Sequence, residues 1–127
     1  MVAAVSLQHV DIVFRLAGGG EYRAVSEASL DVADGEFVAI VGPTGCGKST
    51  LLNAAAGLLA PATGDVRIFG ERLAALNRQA GYLFQADALF PWKTALENVA
   101  IGLEIAGTAQ TEARSRARDW LGRVGLA

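Results

Sequence analysis

One stretch, Gly42-Pro43-Thr44-Gly45-Cys46-Gly47-Lys48-Ser49-Thr50, constrains the fold more than any other part of the chain. Its spacing, G-x-x-x-x-G-K-S, is that of a loop that wraps polyphosphate, and the motif needs a strand before it and a helix after it. Both are written here. Residues 36–41 form a short, nearly unbroken apolar run, as in a strand buried on both faces. Residues 48–59 place Leu51, Ala55, Leu58 and Leu59 on one helical face. Gly42, Gly45 and Gly47 can take backbone angles closed to other residues, and they carry no side chain to hold a phosphate away. The loop amides can then converge as an anion nest, with the positive end of the following helix behind them. Lys48 supplies a mobile ammonium for the β and γ phosphates and Ser49 a hydroxyl for Mg²⁺. A plain glycine turn before a helix would explain the glycines but not the Lys-Ser pair at this spacing.

A chain of 127 residues, 52% hydrophobic, is long enough for one domain with a core. A net charge of −2 and a pI near 5.3 argue against a general nucleic-acid binder. Arg114, Arg116 and Arg118 lie on a predicted helix and read as its solvated face. No basic start leads into an apolar run, so no signal peptide is expected. Residues 49–64 are uncharged but interrupted by Gly57 and Pro61, and they do not read as a membrane span. The single Cys46 excludes an intrachain disulfide and fits a reducing compartment.

The rest of the chain reads as follows. Residues 5–16 alternate in two phases, Val5 and Leu7 in one, Val10, Ile12, Phe14 and Leu16 in the other. The slip at Gln8-His9 predicts a bulge in a half-buried strand. His9, without a second histidine or a nearby cysteine, reads as a strand residue and not a metal ligand. Gly18-Gly19-Gly20 predicts a hairpin-like loop, residues 28–32 a second strand, and Asp34-Gly35 a turn. Pro61-Ala62-Thr63-Gly64 is a further turn, Val66 and Ile68 belong to a short strand ended by Gly70, and residues 71–78 form a polar connector. Gly81-Tyr82-Leu83-Phe84 is a second candidate buried strand, and residues 87–93 a loop holding Pro91-Trp92. Thr94-Ala95-Leu96-Glu97 has the form of a capping box. It opens a helix carrying Leu96, Val99, Ala100 and Leu103 on one face, closed by Gly107. Thr111 is expected to cap a last helix with an apolar stripe of Ala113, Ala117, Trp120, Leu121 and Val124.

Four stretches in order resemble the ATP-binding subunit of an ABC transporter: the strand-turn ending Ala28-Ser29-Leu30-Asp31-Val32-Ala33-Asp34-Gly35-Glu36, the phosphate loop, Pro61-Ala62-Thr63-Gly64-Asp65-Val66, and Gly81-Tyr82-Leu83-Phe84-Gln85. The phosphate loop alone is shared by many nucleotide-binding families; the four together are much more specific, and the resemblance runs along essentially all 127 residues. It implies an α/β fold of the P-loop NTPase (ABC ATPase) class with an N-terminal antiparallel β subdomain (1–35), a P-loop core (36–84), and a Q-loop with the start of a helical subdomain (85–127). It implies ATP and Mg²⁺ as ligands. Gly42, Pro43, Thr44, Gly45, Cys46, Gly47, Lys48, Ser49 and Thr50 would hold the nucleotide, with Thr50 at the α phosphate. Lys48 and Gln85 would carry catalytic roles, Ser49 and Gln85 the Mg²⁺. An aromatic after the first strand would stack on adenine: Phe14 fits that place best, Tyr22 is its rival, and either could instead be a plain hairpin aromatic. Cys46, at a variable loop position, is not read as catalytic, although a thiol reagent there would block nucleotide entry.

Ala88-Leu89-Phe90-Pro91-Trp92-Lys93-Thr94, then Glu97-Asn98-Val99 and Gly102-Leu103-Glu104, is similar to importers of nitrate, sulfonates, taurine and related small anions. The resemblance implies a transmembrane permease as partner, met through Pro91 and Trp92. It also implies a second ATP-binding subunit as homodimer partner, no nucleic acid, and a cytoplasmic place on the inner face of the cell membrane. An exposed Trp suits a protein contact, and a Trp folded over its own subdomain is the competing reading. Other members of the family act outside transport; the Pro91-Trp92 loop and the acidic balance weigh against that. A small-molecule P-loop kinase would carry its phosphate loop much nearer the start than Gly42.

The pattern also implies an LSGGQ-type signature, a Walker B strand with a catalytic glutamate, and a switch histidine, none of which is in the sequence. His9 precedes the phosphate loop and Glu36 precedes its strand, so neither substitutes. The chain is therefore expected to be the N-terminal part of such a subunit. By itself it is expected to hold nucleotide weakly without useful hydrolysis, which requires a positioned water.

Overall fold

The structure, a computed structural model, describes residues 1–126. The chain divides into two compact units, Met1–Tyr82 and Leu83 onward.

The first unit is built on an antiparallel sheet. Strands β1 (Val5–Arg15) and β2 (Glu21–Val32) form a hairpin, β3 (Thr63–Ile68) pairs with the other edge of β1, and the short β4 (Glu71–Arg72) pairs with β3, giving the order β2-β1-β3-β4. The phase slip at Gln8-His9 is a bulge. Leu7 opposes Leu30 while Val10 opposes Ala28, so β1 carries one extra residue, and His9 adopts φ 49 to absorb it. Its N–H is satisfied by Ser29 Oγ at 3.0 Å. The bulge lets Leu7, Val10 and Ile12 all face the core despite their mixed phase. With Val25, Val66 and Ala54 they make the buried centre, against which Leu51 and Leu59 pack. β3 and β4 are joined through Phe69 and Gly70, both at positive φ, the two-residue turn whose twist matches a hairpin.

Helix α1 (Lys48–Ala55) lies on this sheet. It stops short of the expected Leu59 because Gly57, at φ 73, folds the chain back. The Leu58 N–H donates to Asn53 O at 2.9 Å and the Gly57 N–H to Ala54 O at 3.0 Å, a Schellman closure.

The second unit is a pair of helices in contact, α2 (Ala95–Ile105) and α3 (Gln110–Arg123), packed through Ala100, Ala113 and Ala117 with Leu96 and Leu103 around them. The capping box at Thr94 is present: Thr94 Oγ1 accepts from the Glu97 N–H at 3.2 Å and Glu97 Oε2 accepts from the Thr94 N–H at 2.9 Å. Gly107, at φ 94, closes α2 in a second Schellman turn, Thr108 N–H to Leu103 O at 2.9 Å.

Four expectations are corrected. Residues 36–41 are not a buried strand: they have no ladder partner among the described residues, and Phe37 and Val41 are 93% and 87% exposed. Residues 81–84 are likewise not a strand, and Leu83 is 98% exposed. A doubly buried strand is made by its neighbours, and every strand described here belongs to the antiparallel sheet. Thirdly, Thr111 does not cap α3. The N-cap is Ala109, without a side-chain bond, and Thr111 lies one residue inside the helix, whose first turn is charged by Glu112. Trp120, expected on the apolar stripe, is exposed with the Arg123 guanidinium 4.2 Å above its ring.

Candidate phosphate-binding site

The loop at 42–50 ends directly in α1. Gly47 is its N-cap at φ 96, and the first helical bond runs from the Leu51 N–H to Gly47 O at 3.0 Å. The N–H groups of Lys48, Ser49 and Thr50 therefore belong to the first turn and have no intrahelical acceptor. No side chain caps this end and no acidic residue occupies the first turn. The uncompensated amides and the helix dipole give the end a net attraction for an anion. Gly45, at φ 83, is also in the left-handed region, and a Cβ there would meet nothing within 4 Å. Gly47 differs: a Cβ on it would come within 2.7 Å of Ala24 O and 3.1 Å of Val25 Cγ2. It is glycine because the loop rests on β2 at that point.

Lys48 is turned back on its own loop. Its Nζ donates to Gly42 O and Pro43 O, each at 2.7 Å, and approaches Cys46 Sγ at 3.6 Å. Cys46 is exposed, and its N–H donates to Pro43 O at 3.3 Å. The ammonium thus lies across the loop, satisfied by carbonyls that it can exchange for phosphate oxygens. Ser49 is exposed at the second position of the helix. Among the described residues no group of three or more His, Cys, Asp or Glu could hold a metal ion. A cation would have to be shared between the Ser49 hydroxyl, a bound polyphosphate and water. That suits Mg²⁺, which keeps most of its waters and takes few protein oxygens.

The two aromatic candidates prove to be neighbours. Phe14 and Tyr22 are directly opposed across the β1–β2 ladder, both partly exposed. Directly opposed residues in an antiparallel pair share one face of the sheet. Beyond the turn at Gly18-Gly19-Gly20 the ladder opens with Arg15 opposite Glu21, followed by Phe14 opposite Tyr22. Gln85 lies in the second unit, exposed in a bend.

The second unit holds a residue that sequence reading left as one letter of a resemblance. Asn98 braces the loop before α2: its Oδ1 accepts from the Phe90 N–H at 2.8 Å, and its Nδ2 donates to Phe90 O, Lys93 O and Thr94 O at 3.0–3.2 Å. The braced loop holds Phe90 and Trp92 with ring centroids 5.2 Å apart and leaves Trp92 75% exposed. Beside it, Glu97 is held below the usual carboxylate range, first by the Thr94 N–H and hydroxyl. Arg114 of α3 meets the same carboxylate at 3.3 Å. No helix among the described residues is long and apolar enough to cross a membrane.

Comparison with known proteins agrees with this arrangement. Residues 25–127 match the family model described as ABC transporter. The chain is similar to the taurine import ATP-binding protein of Pseudomonas aeruginosa, 48% identical over 108 residues, covering 84% of this chain and 41% of that protein. The taurine import ATP-binding protein of Roseobacter denitrificans is 37% identical over 125 residues, covering 98% of this chain and 47% of that protein. Among solved structures, a dimeric ATP-binding cassette in a post-hydrolysis state with ADP and Pi matches at a TM-score of 0.82 and 32% identity, covering 93% of this chain and 56% of that one. The chain spans less than half the length of these curated relatives. The family match, the phosphate loop at the head of α1 and the likeness to solved cassettes agree, and the chain belongs to the ABC transporter family of ATP-binding proteins.

Proposed function

We propose that the chain supplies the ATP-binding part of an ABC import ATPase whose cargo is a small anion such as taurine, another sulfonate or nitrate. The observation that carries the nucleotide reading is the uncapped, acid-free start of α1 with the Lys48 ammonium held at its mouth. The import reading rests on the named relatives.

In this reading Lys48 leaves the carbonyls of Gly42 and Pro43 and bonds the β and γ phosphates, while the amides of Gly45, Gly47 and Ser49 hold phosphate oxygens and Thr50 meets the α phosphate. Pro43, Thr44 and Cys46 shape the rest of the cradle. Ser49 and Gln85 would hold Mg²⁺, which when bound offsets the charge of the phosphates. The face shared by Phe14 and Tyr22 offers a base two rings in place of one, so the two candidates act as one platform. Pro91 and Trp92, on the loop braced by Asn98, meet a permease, and a second ATP-binding subunit completes a dimer; membrane association follows from the permease. Functionally the chain runs as a β subdomain at 1–35, a phosphate-binding core at 36–84 and a Q-loop with helices from 85. The 127 residues alone are expected to bind nucleotide without useful turnover, since their sequence holds no signature motif, Walker B strand or switch histidine.

Titration of the chain with a fluorescent ATP analogue tests the reading. A hydrogen bond to a charged group contributes about 1.5–3 kcal/mol, so Lys48→Ala should weaken binding about 10- to 100-fold. Equal binding by wild type and Lys48→Ala would overturn it.

A further inference from the structure

β2 is irregular where the phosphate loop rests on it. From Val10 to Val13 β1 advances three residues, while their partners Ala28 and Arg23 lie five apart on β2. β2 therefore carries two extra residues over this stretch, and Ala24, Ser26 and Glu27 have no directly opposed partner in β1. Glu27 adopts φ 46, a setting that side-chain-bearing residues rarely take. A ladder interrupted in this way holds its strand less firmly than a continuous one. Yet here the loop needs a firm seat: a Cβ on Gly47 would come within 2.7 Å of Ala24 O and 3.1 Å of Val25 Cγ2.

One side chain stands in for the interrupted ladder. Asp11 lies between Val10 and Ile12, both buried in the core, so its side chain emerges on the opposite face of the sheet. There it is only 16% exposed. Its Oδ1 accepts from the Glu27 N–H at 3.0 Å and lies 3.5 Å from Arg23 Nη1, both in β2. Its Oδ2 accepts from Thr63 Oγ1 at 2.6 Å, in β3. The Asp11 backbone carbonyl accepts from the Ala62 N–H at 2.8 Å. Arg23 and Glu27 bracket residues 24–26, and Gly47 rests on the first two of these.

We propose that Asp11 is a positioning residue for the phosphate loop: its carboxylate clamps the bulged stretch of β2 to β3 and so fixes the seat on which Gly47 begins α1. It acts from the far face of the sheet, through Ala24 and Val25. The proposal deepens, and rests on, the nucleotide reading of this loop. Without the clamp, Ala24 O and Val25 Cγ2 shift, and the Gly47 backbone at φ 96 shifts with them. The first-turn N–H groups of α1 then no longer converge on one anion.

The test compares variants of the 127-residue chain, each checked for folding by circular dichroism, through two readouts. Exchange of the Leu51 amide, which donates to Gly47 O at 3.0 Å, reports the start of α1 without nucleotide. Titration with the fluorescent ATP analogue reports binding. Asp11→Ala removes both hydrogen bonds to the carboxylate, and should speed Leu51 exchange and weaken binding, each about tenfold. In Asp11→Asn the amide oxygen can accept from the Glu27 N–H and the amide nitrogen can donate to Thr63 Oγ1, since a hydroxyl also accepts. Both values should then stay within about twofold of wild type. Ile68→Val thins a buried part of β3 opposite Val5 and lowers stability without touching the clamp, so it should move neither value. Should Asp11→Ala not fold, Thr63→Val takes its place; it cuts only the tie to β3 and should move both values in the same direction. Unchanged Leu51 exchange in the clamp variant, unchanged binding in it where wild type binds, no rescue in Asp11→Asn, or an equal change in Ile68→Val would overturn the proposal. A Leu51 response with no analogue binding by wild type would sink the nucleotide reading alone, and the clamp under the loop would stand.

Discussion

Replacing Gly47 and Gly45 by alanine, one at a time, separates two causes that are usually confounded in a phosphate loop. Both residues sit in the left-handed region, at φ 96 and 83, so an alanine at either meets a backbone cost of about 1–2 kcal/mol. Their surroundings differ. At Gly45 the new Cβ enters open space, whereas at Gly47 it lands 2.7 Å from Ala24 O and 3.1 Å from Val25 Cγ2. Both of those atoms belong to β2, and Val25 is a buried core residue, so neither moves without disturbing the sheet. Forcing a methyl into packed structure costs about 1–3 kcal/mol. Gly47→Ala should therefore destabilise by about 2–5 kcal/mol, combining the strain and packing terms, and Gly45→Ala by only about 1–2 kcal/mol. Whole domains have only about 5–15 kcal/mol in total, so the larger loss would be plain. The assay is native-state hydrogen exchange at increasing urea, read on peptides from β1 and β2, because those report the first unit without contribution from the helices of the second. The expected signature is a gap of about 1–3 kcal/mol between the two variants. Equal destabilisation would refute the reasoning, since it would mean that the loop does not rest on β2 at Gly47.

Three further outcomes follow from the hydrogen-bond geometry. Asn98→Ala removes the four bonds that the Asn98 side chain makes to residues 90–94 and leaves the Phe90 N–H without its partner. It should cost about 1–3 kcal/mol in the second unit, and it should increase iodide quenching of Trp92 emission, measured with Trp120 replaced by Phe in both proteins. Thr94→Ala deletes the N-cap of α2 and should cost about 1 kcal/mol, seen as an earlier loss of helical circular dichroism in urea. Asp11 accepts from Thr63 Oγ1 at 2.6 Å and from the Glu27 N–H at 3.0 Å, with Arg23 at 3.5 Å, and these partners, Thr63 foremost, hold its carboxyl below the ordinary value. Because its folded pKa is the lower one, its contribution is fully present above the usual carboxylate range and is lost as pH falls through the folded pKa. Stability of the sheet measured from pH 7 to 3 should therefore decline more steeply in wild type than in Asp11→Asn, and parallel curves would rule that cause out.

What could be read from sequence was local. The bulge at Gln8-His9, the tip at Gly18-Gly19-Gly20, the capping box at Thr94 and the closing Gly107 each depend on a few adjacent residues, and each lies where the pattern puts it. Residues 36–41 show the opposite case. Their composition encodes burial, but burial is conferred by neighbouring strands, and no composition of one segment supplies those. Leu83 fails for the same reason. Thr111 was misplaced because a threonine near a helix start is a common cap, and nothing in the residue itself distinguishes the cap from the position just inside. At the site, the residue types and their spacing marked the loop, but two facts needed three dimensions: Gly47 is glycine because of Ala24, far away in the chain, and Asn98 matters through carbonyls of a loop whose path no periodicity describes.

β1 belongs to two ladders at once, with β2 on one side and β3 on the other, and β2 in turn supports the loop at Gly47. This makes the unit unequally tolerant of changes in chain length. Residues added at the Gly18-Gly19-Gly20 tip lengthen a free end and leave every pairing below it in place. A residue lost at Gln8-His9 would remove the extra one and leave Leu7, Val10 and Ile12 in one regular phase, whereas a residue lost at Asp11 would put Ile12 on the face opposite Val10 and disturb the support of the phosphate loop from far outside it. Insertions and deletions among relatives should accordingly gather at the tip, and single-residue deletions inside β1 should be found at Gln8-His9 in preference to the stretch from Val10 to Ile12.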